Sequence, residues 1–296
     1  MLTCDYTHCT LCPRACGADR TAGERGFCGA GATAHIARAG LHFGEEPPIS
    51  GTRGSGAIFF CGCTLRCPFC QNHRISRAPD IGRTVDAPDL AALMLDLRDR
   101  GAHNINLVTA THYLPTVIAA LDRVKADLHI PVVYNCGGYE AVETVNALAD
   151  YVDVWLPDLK YGTPEAAVRR GAPADYPSRA LDAIAAMAAQ TGAPVFDSEG
   201  MLRRGVMVRH LVLPGGRHDS AAALAALAER VDPAMIRLSL MRQYTPPAAF
   251  PLPPPLNRRL TSFEYSTALA AAQPFTGYMQ DADSADESFV PVWDLV

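Results

Sequence analysis

Cys63, Cys67 and Cys70 stand in a C-x3-C-x2-C arrangement directly after the apolar run Ala57 to Phe60, with Cys61 just before them. Three thiolates this close, on a loop leaving a buried strand, can ligate three irons of one iron–sulfur cluster. The fourth iron would then lack a protein ligand. That spacing differs from the ferredoxin run, where Cys residues serve every iron and the cluster only carries electrons. An open iron lets a substrate or cofactor bind, as the open position of a catalytic metal does. A disulfide pair or a structural zinc knot is the alternative chemistry for the same thiols.

A second group lies in residues 1–50: Cys9 and Cys12 in C-x2-C, then Cys16, then Cys28 after Gly23 and Gly26, with Cys4 slightly apart. Gly, Pro and Arg surround it, and little apolar content is available to fold on. A metal would have to supply the folding energy, as in small zinc modules. A tetrahedral set of four thiolates suits zinc or an auxiliary iron–sulfur cluster equally, and spacing does not choose between them. Between the two groups, His42, Glu45 and Glu46 fall in a Gly/Pro-rich connector, read either as a solvated loop or as a lip over the cluster.

Such chemistry needs a scaffold, and the composition permits one. With 296 residues, 49% of them hydrophobic, the chain can bury a barrel-sized core. A net charge of −5 gives no basic footprint, so nucleic acid is not an expected partner. No apolar run is long enough to span a bilayer, and MLTCDYTHC lacks the regions of a signal peptide. Ten Cys without such a signal point to a reducing cytoplasm and to metal rather than disulfides.

From Ala57 onward, short β-like runs alternate with helical patterns, the signature of βα units around a parallel sheet. Six strands are predicted: Ala57–Cys61, Asn104–Val108, Pro131–Asn135, Val152–Pro157, Met207–Leu213 and Ile236–Leu240. Five helical segments intervene. In the first, Leu90, Leu93, Met94 and Leu97 share a face, with Asp86 as N-cap and Gly101 as stop. A hairpin is expected between Val195-Phe196 and Met201-Leu202. The result is a partial (β/α)6 TIM-like barrel over residues 51–245. A Cys-rich metal-binding module precedes it (1–50) and a Pro-rich, helical extension follows (246–296). In that extension Ser262–Ala272 is read as a helix with Leu269 inward, and FVPVWDLV as an apolar tip that tucks back.

Active sites of parallel α/β barrels sit at the C-terminal strand ends. Polar residues gather there in this sequence. Strand one ends in the cysteine loop, strand two in Thr109-Ala110-Thr111-His112, and strand three in Asn135-Cys136-Gly137-Gly138. Strand four ends in Asp158-Leu159-Lys160 and strand six in Arg242-Gln243-Tyr244. Arg209 and His210 lie within strand five, where only one of them can face the interior. His112 is read either as a proton donor or acceptor or as a satisfied structural histidine.

The C-x3-C-x2-C loop with Phe69 before its last Cys resembles the radical S-adenosylmethionine superfamily. Cys70-Gln71-Asn72 and Asp158-Leu159-Lys160 are similar to the C-H-N and D-L-K of glycyl-radical-enzyme activases. The string from His42 to Pro48 with Gly54-Ser55-Gly56 resembles a branch related to pyruvate formate-lyase activating enzyme. The resemblance implies a 4Fe-4S cluster on Cys63, Cys67 and Cys70. It also implies S-adenosylmethionine contacted by Phe69, Asn72, Thr109, Thr111, Asn135, Asp158 and Lys160. Lys160 would meet the cofactor carboxylate, and Asp158 would help hold a monovalent cation. The expected activity is reductive cleavage of S-adenosylmethionine to a 5′-deoxyadenosyl radical that abstracts hydrogen. Implied partners are a reductase such as flavodoxin or ferredoxin and a glycyl-radical enzyme. Direct modification of a small molecule or peptide is the alternative, and a non-catalytic redox sensor or electron carrier the rival. One departure is plain: Val108-Thr109-Ala110-Thr111-His112 lacks the Gly-Gly-Glu that holds the cofactor amino group in most members.

Overall fold

The structure is a computed structural model and describes residues 6–281. Ten strands form its β-structure: β1 (Ala34–His42), β2 (Ser55–Phe60), β3 (Arg83–Val85), β4 (Ile105–Val108), β5 (Val132–Cys136), β6 (Val154–Pro157), β7 (Val195–Phe196), β8 (Leu202–Leu211), β9 (Ile236–Met241) and β10 (Gly277–Met279). The sheet runs β10-β9-β8-β6-β5-β4-β2-β1-β3, with β7 paired to β8. Every pair from β2 through β10 along that path is parallel, while β1 joins β2 and β3 antiparallel. Among the described residues the two ends of the path are not paired to each other, so the sheet is an open, partial TIM-like barrel.

Helices α1 (Pro47–Ser50), α2 (His73–Ser76), α3 (Ala87–Asp99), α4 (Leu114–Val124), α5 (Val142–Ala147), α6 (Pro164–Arg169), α7 (Tyr176–Thr191), α8 (Arg217–Arg230) and α9 (Ser262–Ala271) connect and cover the strands. The caps follow from sequence. Asp86 accepts the Asp89 backbone N–H and Asp89 reaches back to Asp86, a reciprocal capping box that starts α3. Gly101, at φ +89°, turns the chain after it.

Alternation along the strands makes two apolar layers. Outward, Ile58, Phe60, Leu107, Tyr134, Trp155, Val206 and Val208 meet the helices. Inward, Val133, Val154, Leu156 and Met207 close the floor of the barrel around Ile49 of α1. Burying Ile49 stabilises this arrangement by roughly 1.5–3 kcal/mol, and it ties the 34–50 stretch to the sheet that β1 also extends. Strands β1, β3 and β10 were not expected from sequence. Helix α9 forms where predicted, but its inward face carries Glu264, Tyr265 and Ala268, whereas Leu269 is 41% exposed. Cys4 and the FVPVWDLV tip lie outside the described residues. Among the described residues no helix is long and apolar enough to cross a membrane.

Candidate functional site

Strand β2 is buried along its whole length and delivers the cysteine loop to the C-terminal edge of the sheet. The loop is closed by backbone bonds, from Gly62 N–H to the Ile75 carbonyl at 2.9 Å and from Cys70 N–H to the Cys67 carbonyl at 3.2 Å. Cys67 is buried, Cys63 and Cys70 half-buried. Burial pushes the Cys67 thiol up to about 12 against the pull of the Lys160 ammonium, and Cys70 and Cys63 add to the rise. Burial and then Cys63 raise Cys70 as well. Cys67 and Cys70 are therefore within electrostatic reach of both Cys63 and Lys160. Cys61 is separate, because its Sγ donates to the Ile81 carbonyl at 3.2 Å. Phe69 is buried edge-on to Tyr244, with ring centres 6.2 Å apart. Asn72 stands at the N-cap position of α2 without a side-chain capping bond, and its Oδ1 is buried without a hydrogen-bond partner.

Across the mouth, Lys160 Nζ donates to Asp158 Oδ2 at 2.5 Å. Burial alone would lower the Lys160 pKa, but the Asp158 carboxylate, then Cys67 and Tyr176, hold it above its ordinary value. The Tyr176 hydroxyl sits 2.9 Å from the carbonyls of Gly137 and Asp158 and accepts the Lys160 N–H at 2.9 Å, fastening the ends of β5 and β6 together. Gly138 is obligatory there: at φ +78°, an added Cβ would lie 2.0 Å from the Asp158 carbonyl oxygen.

Thr109 adopts φ +60° at the end of β4, a left-handed conformation costly for a β-branched residue. The turn thus has the backbone that glycine favours although the chain has threonine. Thr111 is committed elsewhere: its hydroxyl donates to Glu140 Oε1 at 2.9 Å and lies 3.1 Å from the Tyr134 hydroxyl, on the face toward the helices. Glu140 is buried with Oε2 unpartnered, and burial pushes its carboxyl up to about 8. His112 is buried, with Nε2 2.7 Å from the Cys61 carbonyl, and so carries its proton there. That contact fits the structural reading of His112.

The connector is not a solvated loop. Glu45 and Glu46 turn into the barrel and meet Arg209 of β8. Arg209 Nε donates to Glu46 Oε1 at 2.8 Å and Nη2 to Glu46 Oε2 at 2.5 Å, while Nη2 also donates to Glu45 Oε2. Glu45 Oε1 accepts from Asn106 Nδ2 at 2.8 Å and from Asn135 Nδ2 at 3.3 Å. Burial would raise Glu46, but Arg209 overrides it and holds the carboxyl below its ordinary value. Arg209 is therefore the inward member of its strand pair, and His210 faces out with Nδ1 2.6 Å from the Leu159 carbonyl. Sequence reasoning missed this cluster. The alternation of β8 could have placed Arg209 beside Met207, but nothing in the spacing points to Glu45.

Cys9 and Cys28 are buried, Cys12 half-buried and Cys16 exposed. Backbone bonds between Cys9 and Ala18 (3.1 Å) and between Gly17 and Cys9 (3.0 Å) fold the segment back on itself. Gly26 leaves room for Cys16, whose Sγ would lie 2.4 Å from an added Cβ. Burial pushes Cys12 up to about 12 and raises Cys28, with the other thiols adding to both. The N-terminal segment touches the loop that carries Cys63, Cys67 and Cys70, since Arg66 Nη2 donates to the Cys28 carbonyl at 3.1 Å.

Among the described residues no three His, Cys, Asp or Glu side chains converge on one point as metal ligands do. The fit is instead chemical. Buried neighbouring thiols resist ionisation until a metal cation replaces their protons, and a coordinating thiol is deprotonated outright. Both groups suit a thiolate-bound centre, and the fixed ammonium of Lys160 beside the loop suits a carboxylate-bearing cofactor.

A sequence model of the Radical SAM superfamily matches residues 57–225, the span from β2 into α8. An uncharacterized protein of Methanocaldococcus jannaschii is 30% identical over 279 residues, 91% of this chain and 75% of that one. Among solved structures, Streptococcus suis SuiB bound to its precursor peptide SuiA is 12% identical with a TM-score of 0.46, over 74% of this chain and 46% of that chain. Methylornithine synthase is 15% identical with a TM-score of 0.49, over 72% and 60%. The chain thus spans less than two thirds of either solved protein. It belongs to the radical S-adenosylmethionine superfamily, whose enzymes work with a 4Fe-4S cluster and S-adenosylmethionine.

Proposed function

We propose that Cys63, Cys67 and Cys70 hold the 4Fe-4S cluster and that the barrel interior below them receives the molecule from which hydrogen is taken. The observation that carries this reading is that the cysteine loop leaving β2 and the Asp158–Lys160 pair ending β6 lie at the same edge of the parallel sheet. When bound, the cluster and S-adenosylmethionine supply a reductive cleavage to methionine and a 5′-deoxyadenosyl radical. The chain's own part is positioning. Lys160 offers its ammonium to the cofactor carboxylate and Asp158 keeps that ammonium in place, with a monovalent cation as a further ligand of Asp158. Thr109 and Asn135 line the adjoining strand ends, Phe69 packs the loop against Tyr244, and Asn72, its Oδ1 unpartnered, is a further cofactor contact. Thr111, tied to Glu140, acts by fixing the turn.

On the finer question, Asp158-Leu159-Lys160 and Cys70-Gln71-Asn72 support a glycyl-radical-enzyme activase of the pyruvate formate-lyase activating type. The charged interior around Arg209 favours a second reading, direct modification of a polar small molecule or peptide. The domain plan we propose is a metal-binding module on Cys9, Cys12, Cys16 and Cys28, the barrel, and an extension from residue 246. Its setting would be the cytoplasm, and its electron donor flavodoxin or ferredoxin.

The test is anaerobic reconstitution, dithionite reduction and chromatography for 5′-deoxyadenosine. A cluster that forms without any cleavage overturns the reading. Deuterium passing into 5′-deoxyadenosine from a labelled glycine of a partner protein, or from a labelled small molecule, separates the two substrate classes. Lys160→Met should weaken S-adenosylmethionine binding by about tenfold to a hundredfold, the scale of one charged hydrogen bond.

A further inference from the structure

On the reading that Cys63, Cys67 and Cys70 hold the 4Fe-4S cluster, we propose that Tyr161 and Ser76 tune it. Their hydroxyls donate hydrogen bonds to the sulfurs of Cys67 and Cys70 and make the cluster easier to reduce.

Both hydroxyls are buried donors that the chain leaves unused. Tyr161 is wholly buried and Ser76 is 5% exposed. Among the described residues neither oxygen has a hydrogen-bond partner. The Ser76 backbone N–H is spent on the Asn72 carbonyl at 3.0 Å, so the hydroxyl is the one donor that residue has left. A buried hydroxyl without an acceptor is costly. Each of these two bears on a thiol of the loop. Burial and then Cys63 raise Cys70, and the Ser76 hydroxyl pulls it back as a donor to the sulfur. Burial raises the Tyr161 hydroxyl and Cys67 raises it further, which keeps the proton on the oxygen that faces that sulfur.

Packing brings both residues to the loop. Ser76 ends α2, a helix tied to the loop by the His73 N–H on the Cys70 carbonyl at 3.1 Å. Tyr161 follows Lys160 beyond β6. Gly137 marks where that strand end meets the loop, since an added Cβ there would stand 2.7 Å from Leu65 Cδ1 and 3.8 Å from Lys160 Cε. The Arg170 guanidinium lies 6.0 Å from the centre of the Tyr161 ring. Its neighbour Gly171 abuts Pro68, beside Cys67, where an added Cβ would be 3.8 Å from Pro68 Cδ. Cys63 already has a donor of its own, the Leu65 N–H at 3.4 Å from Sγ. With Tyr161 and Ser76, each of the three sulfurs is served by a donor.

A neutral thiol is a weak acceptor, whereas a metal-bound thiolate carries the charge that draws an O–H. Reduction adds one electron, taken from a flavin or iron–sulfur reductase, breaks no bond and moves no proton. The added negative charge spreads onto the sulfurs, so donors placed there favour the reduced state. Hydrogen bonding to the sulfurs is one of the levers by which a protein sets the potential of such a cluster.

The experiment uses reconstituted full-length protein without S-adenosylmethionine. A redox titration with dithionite and mediators follows the electron paramagnetic resonance signal that Cys67→Ala removes. Tyr161→Phe and Ser76→Ala keep the shape and delete the hydroxyl. Each should make the cluster about threefold to tenfold harder to reduce, tenfold being a fall of ~59 mV for one electron. The double variant should fall by the sum of the two, and Ser76→Thr, which restores a hydroxyl, should return to the wild-type potential. Wild-type potentials in both single variants, with iron and sulfide contents unchanged, would overturn the proposal. Failure of both variants to assemble a cluster would overturn it too, because neither removes an iron ligand. A wild-type protein that assembles no cluster on the three cysteines would overturn the cluster reading and this proposal with it. Formation of 5′-deoxyadenosine is scored separately. Its absence from protein whose potentials shift as expected would overturn radical cleavage and leave the tuning in place.

Discussion

The two cysteine groups touch through Arg66 and the Cys28 carbonyl, yet they are held in opposite ways. The loop with Cys63, Cys67 and Cys70 hangs from a fully buried strand and is closed by its own backbone bonds. Residues 6–33 contain neither helix nor strand. They are held by side chains reaching across to carbonyls. Arg14 Nε donates to Thr64 O at 2.6 Å, Arg20 Nη1 to His112 O at 2.5 Å, and Thr144 Oγ1 to Leu11 O at 2.8 Å. Arg20 also lies over the rings of Tyr6 and Tyr113. Apolar packing positions the first group whether or not a metal is present. The second combines burial of Leu11 and Ala30 in the main core with polar docking, and a bound metal would add to its stability.

The largest expected effect breaks the comparison cleanly. Cys67→Ala should reduce 5′-deoxyadenosine formation to background while leaving the far-ultraviolet circular dichroism unchanged, because the strand below it does not depend on the thiol. Cys9→Ala should do the reverse in kind, loosening residues 6–33 to proteolysis before it alters the barrel. If Cys9→Ala behaved as wild type in both assays, the metal assignment of the N-terminal group would be lost.

That asymmetry also explains what was legible in the sequence. Parallel strands buried on both faces read as unbroken apolar runs, so β2, β4, β5, β6, β8 and β9 could be placed, and the residues where those runs stop mark the mouth. The Asp86 cap and the β7–β8 hairpin were legible from local chemistry alone. Strand β1, with Ala, Gly, His and Arg in AHIARAGLH, carries little apolar signal, and β3 and β10 have three residues each. Helix α9 misled because an acidic residue faces in: Glu264 is paired with Arg258 and accepts the Gly215 N–H, contacts that periodicity cannot foresee. Glu45 and Glu46 looked solvated for the same reason, since Arg209 lies more than 160 residues away. The positive φ of Thr109 has no signature in a β-branched residue.

A smaller effect probes the docking cation. Arg20 is 2% exposed. Arg20→Met would keep its length but strand the Gly31 and His112 carbonyls. The loss should be about 3 kcal/mol, combining a charged hydrogen bond with unpaired buried acceptors. It should be read as faster cleavage within residues 6–33.

His112 links the two regions through pH. Burial lowers its pKa from 6.5 to about 4, and its Nδ1 has no partner to receive a second proton. The unfolded chain therefore binds a proton that the folded one refuses between those values, and stability should fall as pH drops from about 6.5 toward 4. His112→Gln should flatten that part of the stability–pH curve. An unchanged slope would mean that His112 accepts its second proton in the folded protein.

The smallest effect sharpens the comparison most, because it removes one docking bond without touching charge or metal. Thr144 lies on α5, 1% exposed, and its hydroxyl is the donor to the Leu11 carbonyl at 2.8 Å. Thr144→Val keeps the shape and deletes that donor. The net worth of such a bond is about 1 kcal/mol, so release of residues 6–33, followed by hydrogen exchange, should become about fivefold more frequent. Amides of β4 and β5 should keep their protection, because the apolar layer beneath them is intact. If instead the strand amides lost protection together with the module, the two regions would unfold as one unit, and the cysteine loop would owe its place to the N-terminal module as much as to β2.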